Sequence, residues 1–341
     1  MSIGVTVSDT HVLTDVLSAR LNILDDVEED GESWEKSWTS CVTVSDEKAP
    51  RSAFFPLPNH SARNSRDPAI EAVAELPVFP NLDCNDDLND MKVENRTFVV
   101  SGGSSGLGLA TVQYLVEAKA FVSILDRSPP PPDLASSQIR FFQVDITKVD
   151  EIEKAVEETV AWAKETGAAL AGVINSAGVG VAAKMIDAHN QPHSLDLWDF
   201  VLAVNLTGSF NLTRLVLKHL VHVEPEPGKD GERGVIIFVS SSAAYEGQPG
   251  QVAYSASKGA IRSMTLPLAR DLGRHRIRVM TIAPSAFSSS LENDVVFPKR
   301  FGEPQEFAQT VKWILECGYL NGETVRLSGA QAAALSLSLW S

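Results

Sequence analysis

The segment Tyr254-Ser255-Ala256-Ser257-Lys258 and the hydroxyl of Ser241, thirteen residues upstream, have the means to move a proton on and off an alcohol. A tyrosine and a lysine at i and i+4 share one face of a helix, about a turn apart. An ammonium there favours the phenolate, because an opposite charge nearby stabilises the ionised form. A phenol with an ordinary pKa of about 10 then becomes a usable acid and base near neutral pH. A serine hydroxyl can hold the substrate oxygen against that phenol while another group takes the hydride. Alone, a Tyr-x-x-x-Lys pair reads more plainly as a solvated surface contact, so the elements around it must decide.

The run Ser101-Gly102-Gly103-Ser104-Ser105-Gly106-Leu107-Gly108 follows the apolar segment Thr97-Phe98-Val99-Val100 and precedes the helically spaced Leu109 to Val116. Strand, glycine turn and helix is the context of a dinucleotide-binding loop. Gly102 allows the tight turn. Gly106 and Gly108 let backbone and helix approach a pyrophosphate, whose charge suits a helix N-terminus. Asp126 ends a second apolar run, Ala120 to Leu125, eighteen residues past Gly108. An acid there can bind both hydroxyls of an adenosine ribose and would repel a 2′-phosphate, which favours NAD. Arg127 can pair with such a phosphate, which leaves NADP open. Asp126 also has the plainer reading of a turn residue before Pro129 to Pro132.

Further strands end on polar residues. Ile139 to Val144 leads to Asp145-Ile146, Gly172-Val173-Ile174 to Asn175-Ser176-Ala177-Gly178, and Val235 to Val239 to Ser240-Ser241-Ser242, with Asn205 inside a helical stretch. Singly, each has a structural use. Asn175 can staple neighbouring strands, and Asn205 can bond to backbone.

Taken together, these motifs resemble the short-chain dehydrogenase/reductases, in order and spacing, from Met91 to about Ala330. Within that superfamily the chain is similar to the type-2 3-hydroxyacyl-CoA dehydrogenases, some of which also act as 17-beta-hydroxysteroid dehydrogenases. The narrower likeness rests on Gly102 to Thr111, Glu246 to Gly259, Met264 to Leu272 and the polar loop Glu224 to Gly234.

The resemblance implies an α/β fold, a Rossmann-type doubly wound parallel sheet with strand order 3-2-1-4-5-6-7. It implies Ser105 and Leu107 at the pyrophosphate, Asp126 at the adenosine ribose, Asp145 and Ile146 beside the adenine, and Asn175 and Ser176 behind the cofactor. Phe287 and Ser289 would complete the cofactor site. Tyr254 would be general base in oxidation and acid in reduction. Lys258 would bind the nicotinamide ribose and depress the phenol's pKa. Ser241 would orient the reacting oxygen, Asn205 would hold a proton-relaying water, and Gln248 would face substrate. A homo-oligomer, dimer or tetramer, is implied because the helices carrying Asn205 and Tyr254 pack against another subunit in most relatives.

Three departures from the family pattern concern the substrate side. Ala283-Pro284-Ser285 stands where Pro-Gly is usual, which predicts strain in the turn or pressure on the cofactor. Ser289-Ser290 replaces a threonine-proline pair. Only the eleven residues Ala286 to Val296 separate Ser285 from Phe297, where the family places a longer helical lid. A short lid predicts a site more open to water.

The expected activity is hydride transfer between a nicotinamide cofactor and a secondary alcohol or ketone, such as a 3-hydroxyacyl-CoA or a bulky lipid. The alternatives are an NADPH-dependent biosynthetic ketoreductase and a weakly catalytic cofactor-binding scaffold.

The 341 residues are enough for one large domain or two ordinary ones, and 44% hydrophobic content suits a sizeable core. The net charge of −15 is uneven: residues 1–90 carry −12 and the remainder −3. No basic patch with interleaved aromatics points to nucleic acid. Cys41, Cys84 and Cys317 are widely spaced, which speaks against a disulfide framework or zinc site and suits a reducing compartment. No run of eighteen apolar residues suggests a membrane span, and the N-terminus lacks a signal pattern, so a cytoplasmic location is expected.

Residues 1–90 are expected to be an acidic, largely disordered extension before a catalytic domain over 91–341. Short helices are plausible over Leu13 to Leu24 and from Asp67-Pro68, while Ala49 to Arg66 reads as irregular. Val5-Thr6-Val7-Ser8-Asp9 recurs as Val42-Thr43-Val44-Ser45-Asp46, but two short copies do not make a repeat architecture.

Overall fold

The structure is a computed structural model. It describes residues 93–227, 230–285 and 295–330, and the backbone strands within 5–7, 40–46 and 49–55. The chain divides into two units, Met1–Leu82 and Asp83–Ser341.

The first unit holds a three-stranded sheet: β1 (Val5–Val7), β2 (Ser40–Asp46) and β3 (Ala49–Phe55), in that order. The first three residues of the two copies pair in parallel and in register, Val5 opposite Val42 and Val7 opposite Val44. β3 pairs antiparallel with β2, Asp46 opposite Ala49. This corrects the irregular reading of Ala49 onwards. Pro50 is tolerated because β3 is an edge strand, where a missing N–H costs little. The helices expected over Leu13 to Leu24 and from Asp67 lie outside the described residues.

The second unit is the predicted doubly wound sheet. Its strands are β4 (Thr97–Ser101), β5 (Phe121–Asp126), β6 (Ile139–Gln143), β7 (Leu170–Asn175), β8 (Gly234–Val239), β9 (Ile277–Pro284) and β10 (Thr324–Leu327). All pair in parallel, in the order β10-β9-β8-β7-β4-β5-β6. The helices are α1 (Gly106–Glu117), α2 (Val149–Thr166), α3 (Leu195–Leu202), α4 (Ser209–Leu220), α5 (Ala243–Glu246), α6 (Val252–Gly273) and α7 (Pro304–Glu316).

Strands buried on both faces read as near-continuous apolar runs, and β4, β7, β8 and β9 are buried at every residue. Alternation along β4 sends Phe98 and Val100 to one core, with α1 and α7, and Val99 to the other, with α2, α4 and α6. Parallel strands put all their C-terminal ends at one edge of the sheet. Ser101, Asp126, Asn175, Val239 and Pro284 therefore end on one side, and the residues following them build the site.

Between α3 and α4 the helix is wound as a π turn, Ala203–Gly208, that contains Asn205. The combined helix Leu195–Leu220 has the length and hydropathy to cross a bilayer. Val201, Leu212, Val216 and Leu220 are instead buried in the core, as expected of a central helix in a globular protein.

Candidate active site

The glycine turn is fixed by space. Gly102 has φ +67°, and a Cβ there would lie 2.8 Å from the backbone of Ala177. A Cβ on Gly108 would lie 2.1 Å from the carbonyl oxygen of Gly102, so helix and turn touch backbone to backbone. Ser105 occupies the N-cap of α1, yet its side chain makes no capping bond. The first amides of α1 thus have no side-chain cap, as an anion-binding helix N-terminus requires. Leu107 lies in the first turn of α1. The buried hydroxyls of Ser104 and Ser176 have no partner within the protein.

Asp126, at the tip of β5, is held rigidly. One carboxylate oxygen accepts the amide of Ser104 at 3.1 Å and the other that of Ser128 at 3.2 Å. Beside it opens a cleft of about 650 Å³ lined by Arg127, Ser128, Gln143, Val144, Asp145 and Glu151. Asp145 accepts from the amide and hydroxyl of Thr147, and these bonds hold its carboxyl below the ordinary range. Ile146 is buried, and a Cβ on Gly208 would come within 2.8 Å of its carbonyl oxygen. Asn175 donates to Thr213 at 3.0 Å, tying β7 to α4. This bond reaches a helix and not a neighbouring strand, and both the carbonyl oxygen of the Asn175 side chain and the hydroxyl of Ser176 are buried without a partner.

Four polar residues converge beyond β8. Ser241 follows the strand, Tyr254 sits in the first turn of α6, and Lys258 lies one turn on. Ser241 lies near enough to the Tyr254 phenol to oppose the rise of its pKa. Lys258 is 5% exposed, donates to the carbonyl of Val239 at 2.8 Å, and places its Nζ 5.8 Å from the centre of the Tyr254 ring. Asn205 accepts from the amide of Val179 at 2.8 Å and donates to the Val179 carbonyl and the Ser257 hydroxyl, each at 3.0 Å. Ser257 donates on to the carbonyl of Tyr254 at 2.7 Å. Gly178 lies between Asn205 and Lys258: a Cβ there would meet Oδ1 at 3.2 Å and Nζ at 3.3 Å.

Lys258 and Asn205 are both held by neighbouring backbone groups. Burial raises Tyr254 and Ser241 opposes that rise, while burial brings Lys258 itself down to about 8. The amine is turned toward a neutral carbonyl, and a desolvated ammonium without an anionic partner favours its neutral form. The side chain of Asn205 brackets Val179 and Ser257, and its backbone carbonyl accepts the Ser209 hydroxyl at 2.9 Å.

Gln248 lies in the turn before α6, where its amide donates to the side chain of Gln251 at 3.0 Å. Ser285 is not among the described residues with positive φ, so its Cβ brings none of the predicted backbone strain. Its amide donates to Leu327 and its hydroxyl to that of Ser242 at 3.1 Å. Phe287, Ser289 and Ser290 lie outside the described residues, as do residues 286–294 of the short lid.

Sequence reasoning missed Ser257, Thr213, Ser240 and Ser242. Small hydroxyl residues carry no spacing signal of their own. The serines were marked only by adjacency, in Tyr254-Ser255-Ala256-Ser257-Lys258 and Ser240-Ser241-Ser242, and Thr213 by nothing.

Residues 96–297 match the family described as short chain dehydrogenase. The chain is 42% identical over 255 residues to the human 3-hydroxyacyl-CoA dehydrogenase type-2, covering 70% of this chain and 95% of that one. It is 31% identical to the ipsdienol dehydrogenase of Ips pini over 70% of this chain and 98% of that one. Among solved structures, the 3-hydroxyacyl-CoA dehydrogenase type-2 of Mycobacterium avium superposes with a TM-score of 0.65 at 33% identity, covering 70% of this chain and 97% of that one. The chain belongs to the short chain dehydrogenase family and is an oxidoreductase that moves hydride between a nicotinamide cofactor and a secondary alcohol or ketone.

Proposed function

We propose that this chain is an NAD-dependent dehydrogenase of 3-hydroxyacyl thioesters or secondary alcohols of similar bulk. The observation that carries this reading is the convergence at one edge of the sheet of Ser241, just past β8, with Tyr254 and Lys258 one helical turn apart on α6, beside the glycine turn. The identity to type-2 3-hydroxyacyl-CoA dehydrogenases supports the acyl thioester as substrate class.

The residues present fit a dinucleotide. Gly106 has open space where a Cβ would stand, α1 offers uncapped amides, and two buried hydroxyls lack partners. Gly102, Ser105, Gly106, Leu107 and Gly108 would hold its pyrophosphate and Asp126 its adenosine ribose. Asp145 would lie beside the adenine and Ser176 behind the nicotinamide half. The fixed carboxylate of Asp126 favours NAD, because a 2′-phosphate against it would place two anions together. The bound nicotinamide supplies the hydride acceptor in oxidation and the donor in reduction.

Tyr254 takes the proton from the substrate hydroxyl in oxidation and returns it to the carbonyl oxygen in reduction. Ser241 donates to that oxygen and keeps it within reach of the phenol. Lys258, poised near pH 8 by burial, can pass the proton onward from the phenol. Gln248 would contact the substrate from the turn before α6. Phe200 and Phe210, exposed by 44% and 46% on α3 and α4, and Val252 and Leu266, exposed on α6, support an assembly of identical subunits.

The test is NADH formation with a panel of 3-hydroxyacyl-CoAs, hydroxysteroids and simple secondary alcohols. Tyr254→Phe should abolish turnover and leave NADH binding intact. Turnover of that variant near the wild-type rate would remove the phenol from the mechanism. Arg127, which lines the adenosine cleft, favours a second reading, an NADPH-dependent ketoreductase, and comparison of the two cofactors' affinities decides between them.

A further inference from the structure

The hydroxyl of Ser241 acts only if the backbone holds it against Tyr254, yet the segment that follows it has little rigidity of its own. α5 is four residues long, too short to be stable by its own hydrogen bonds. What holds it comes from elsewhere.

The amide of Ser242 donates to the carbonyl of Pro284 at 2.9 Å. The hydroxyl of Ser285 donates to that of Ser242 at 3.1 Å, and the amide of Ser285 is bound to the carbonyl of Leu327 at 3.0 Å. At the far end of α5, Glu246 forms an ion pair with Arg326. The ring of Tyr245 lies between two guanidinium groups, Arg262 at 4.4 Å and Arg326 at 4.7 Å from its centre. Cation–ring contacts of this length are attractive. Arg326 thus grips two successive residues of α5 at once, by charge and by stacking, in a way that a lysine reproduces only in part.

We propose that Arg326 and Ser285 are positioning residues that latch the turn carrying Ser241 to the last two strands of the sheet. This rests on the functional reading above. Ser240 anchors one side of the turn, its amide on Ile282 and its hydroxyl on the carbonyl of Lys258. Gly247 closes the other side, so near α6 that a Cβ would lie 2.3 Å from the Ser255 hydroxyl. Between those two points, β9 and β10 hold α5 through Pro284, Ser285 and Arg326. Ser285 therefore has a use that the glycine usual at its position cannot supply.

Ser241 is also the one group that opposes the burial-driven rise of the Tyr254 phenol. A slack latch should move the enzyme's proton chemistry, beyond lowering its rate.

The test measures alcohol oxidation against pH in the full chain for Arg326→Gln, Arg326→Lys and Ser285→Ala, with Tyr254→Phe alongside. For Arg326→Gln the expected loss in kcat is about tenfold, as misplacement of a catalytic group predicts. NADH affinity should stay within about twofold, and the rising limb of kcat/KM should move to higher pH, because the phenol loses the neighbour that favours its ionised form. Arg326→Lys, which keeps the charge but not the planar stacking, should recover part of the rate. Ser285→Ala should show the same shift at a smaller loss, and it decides the matter should Arg326→Gln not fold. Wild-type kcat and an unmoved limb in Arg326→Gln, with Tyr254→Phe inactive, would overturn the latch alone. A still active Tyr254→Phe would overturn the functional reading and the latch with it.

Discussion

Lys258 donates its amine to the backbone carbonyl of Val239, the last residue of β8, from a site where it is 5% exposed. No carboxylate is paired with it among the described residues. Burial brings its pKa from 10.5 down to about 8. Between these two values the folded chain binds fewer protons than the unfolded one, so stability rises with pH across that window. Below pH 8 the penalty of the buried ammonium is present in full, on the order of 3 kcal/mol at 1.36 kcal/mol per pKa unit. Lys258→Met removes the charge but leaves the Val239 carbonyl without its donor, at a cost of about 1–3 kcal/mol. The variant should be inactive, and its stability relative to wild type should be most favourable at pH 7 and fall steadily as pH rises from 8 to 10.5. Urea unfolding at pH 7 and at pH 9.5 checks this. A difference independent of pH would mean that Lys258 is not desolvated.

Ser241→Ala should behave differently from Tyr254→Phe. The phenol stays, so some turnover stays, but the hydroxyl that opposes its upward shift is gone. Oxidation needs the ionised phenol. The pH at which kcat/KM reaches half its plateau should therefore rise, and kcat should fall by about 10²-fold, as loss of one oriented hydrogen-bonding group at a reacting oxygen predicts. A pH–rate profile superimposable on wild type after scaling would show that Ser241 does not touch the phenol's chemistry.

The fold was legible because its signals are redundant. β4, β8 and β9 are buried at every position and read as mostly apolar runs, and α7 carries its start in Pro304 and Glu306, found as a capping box. Tyr254, Lys258 and Ser241 were legible because helical spacing and a strand end place side chains without further information. The roles of Asn205 and Lys258 were less so. Both depend on which backbone carbonyl or amide lies opposite, and Val179 and Val239 carry no signal for that in their side chains. The π turn at Ala203–Gly208 was invisible for a related reason: it changes backbone winding and leaves the apolar pattern helical. The strand Ala49–Phe55 was hidden by composition, since pairing with Ser40–Asp46 overrides a poor local propensity.

Asp126→Ala should separate cofactor choice from loop geometry. The carboxylate is bonded to the amides of Ser104 and Ser128, so its removal relieves repulsion of a 2′-phosphate and also frees one amide of the glycine turn. NAD affinity should fall by about tenfold, the worth of about 1.4 kcal/mol of lost ribose bonding. NADP affinity should hold or rise. Equal losses for both cofactors would mean that Asp126 serves only the turn. Titration by quenching of protein fluorescence measures both.

Arg278 carries the heaviest structural load of any cation in the second unit among the described residues. From β9 its guanidinium bonds Glu232 at 2.9 Å and the carbonyls of Ile314, Leu315, Cys317 and Leu320 at 2.7 to 3.3 Å, closing the C-terminal end of α7. Burial already pushes Glu232 above its ordinary pKa, with Arg278 opposing that rise. Arg278→Met strands a buried carboxyl and a set of helix-end carbonyls together, and should cost about 3–5 kcal/mol, the usual price of breaking a buried ion pair from one side. Removing both partners, in Arg278→Met with Glu232→Leu, should recover part of that loss because no uncompensated charge remains. Equilibrium unfolding of the two single variants and the double variant measures the coupling. A double variant no more stable than Arg278→Met would place the whole loss in the carbonyls of α7 and none in the pair with Glu232.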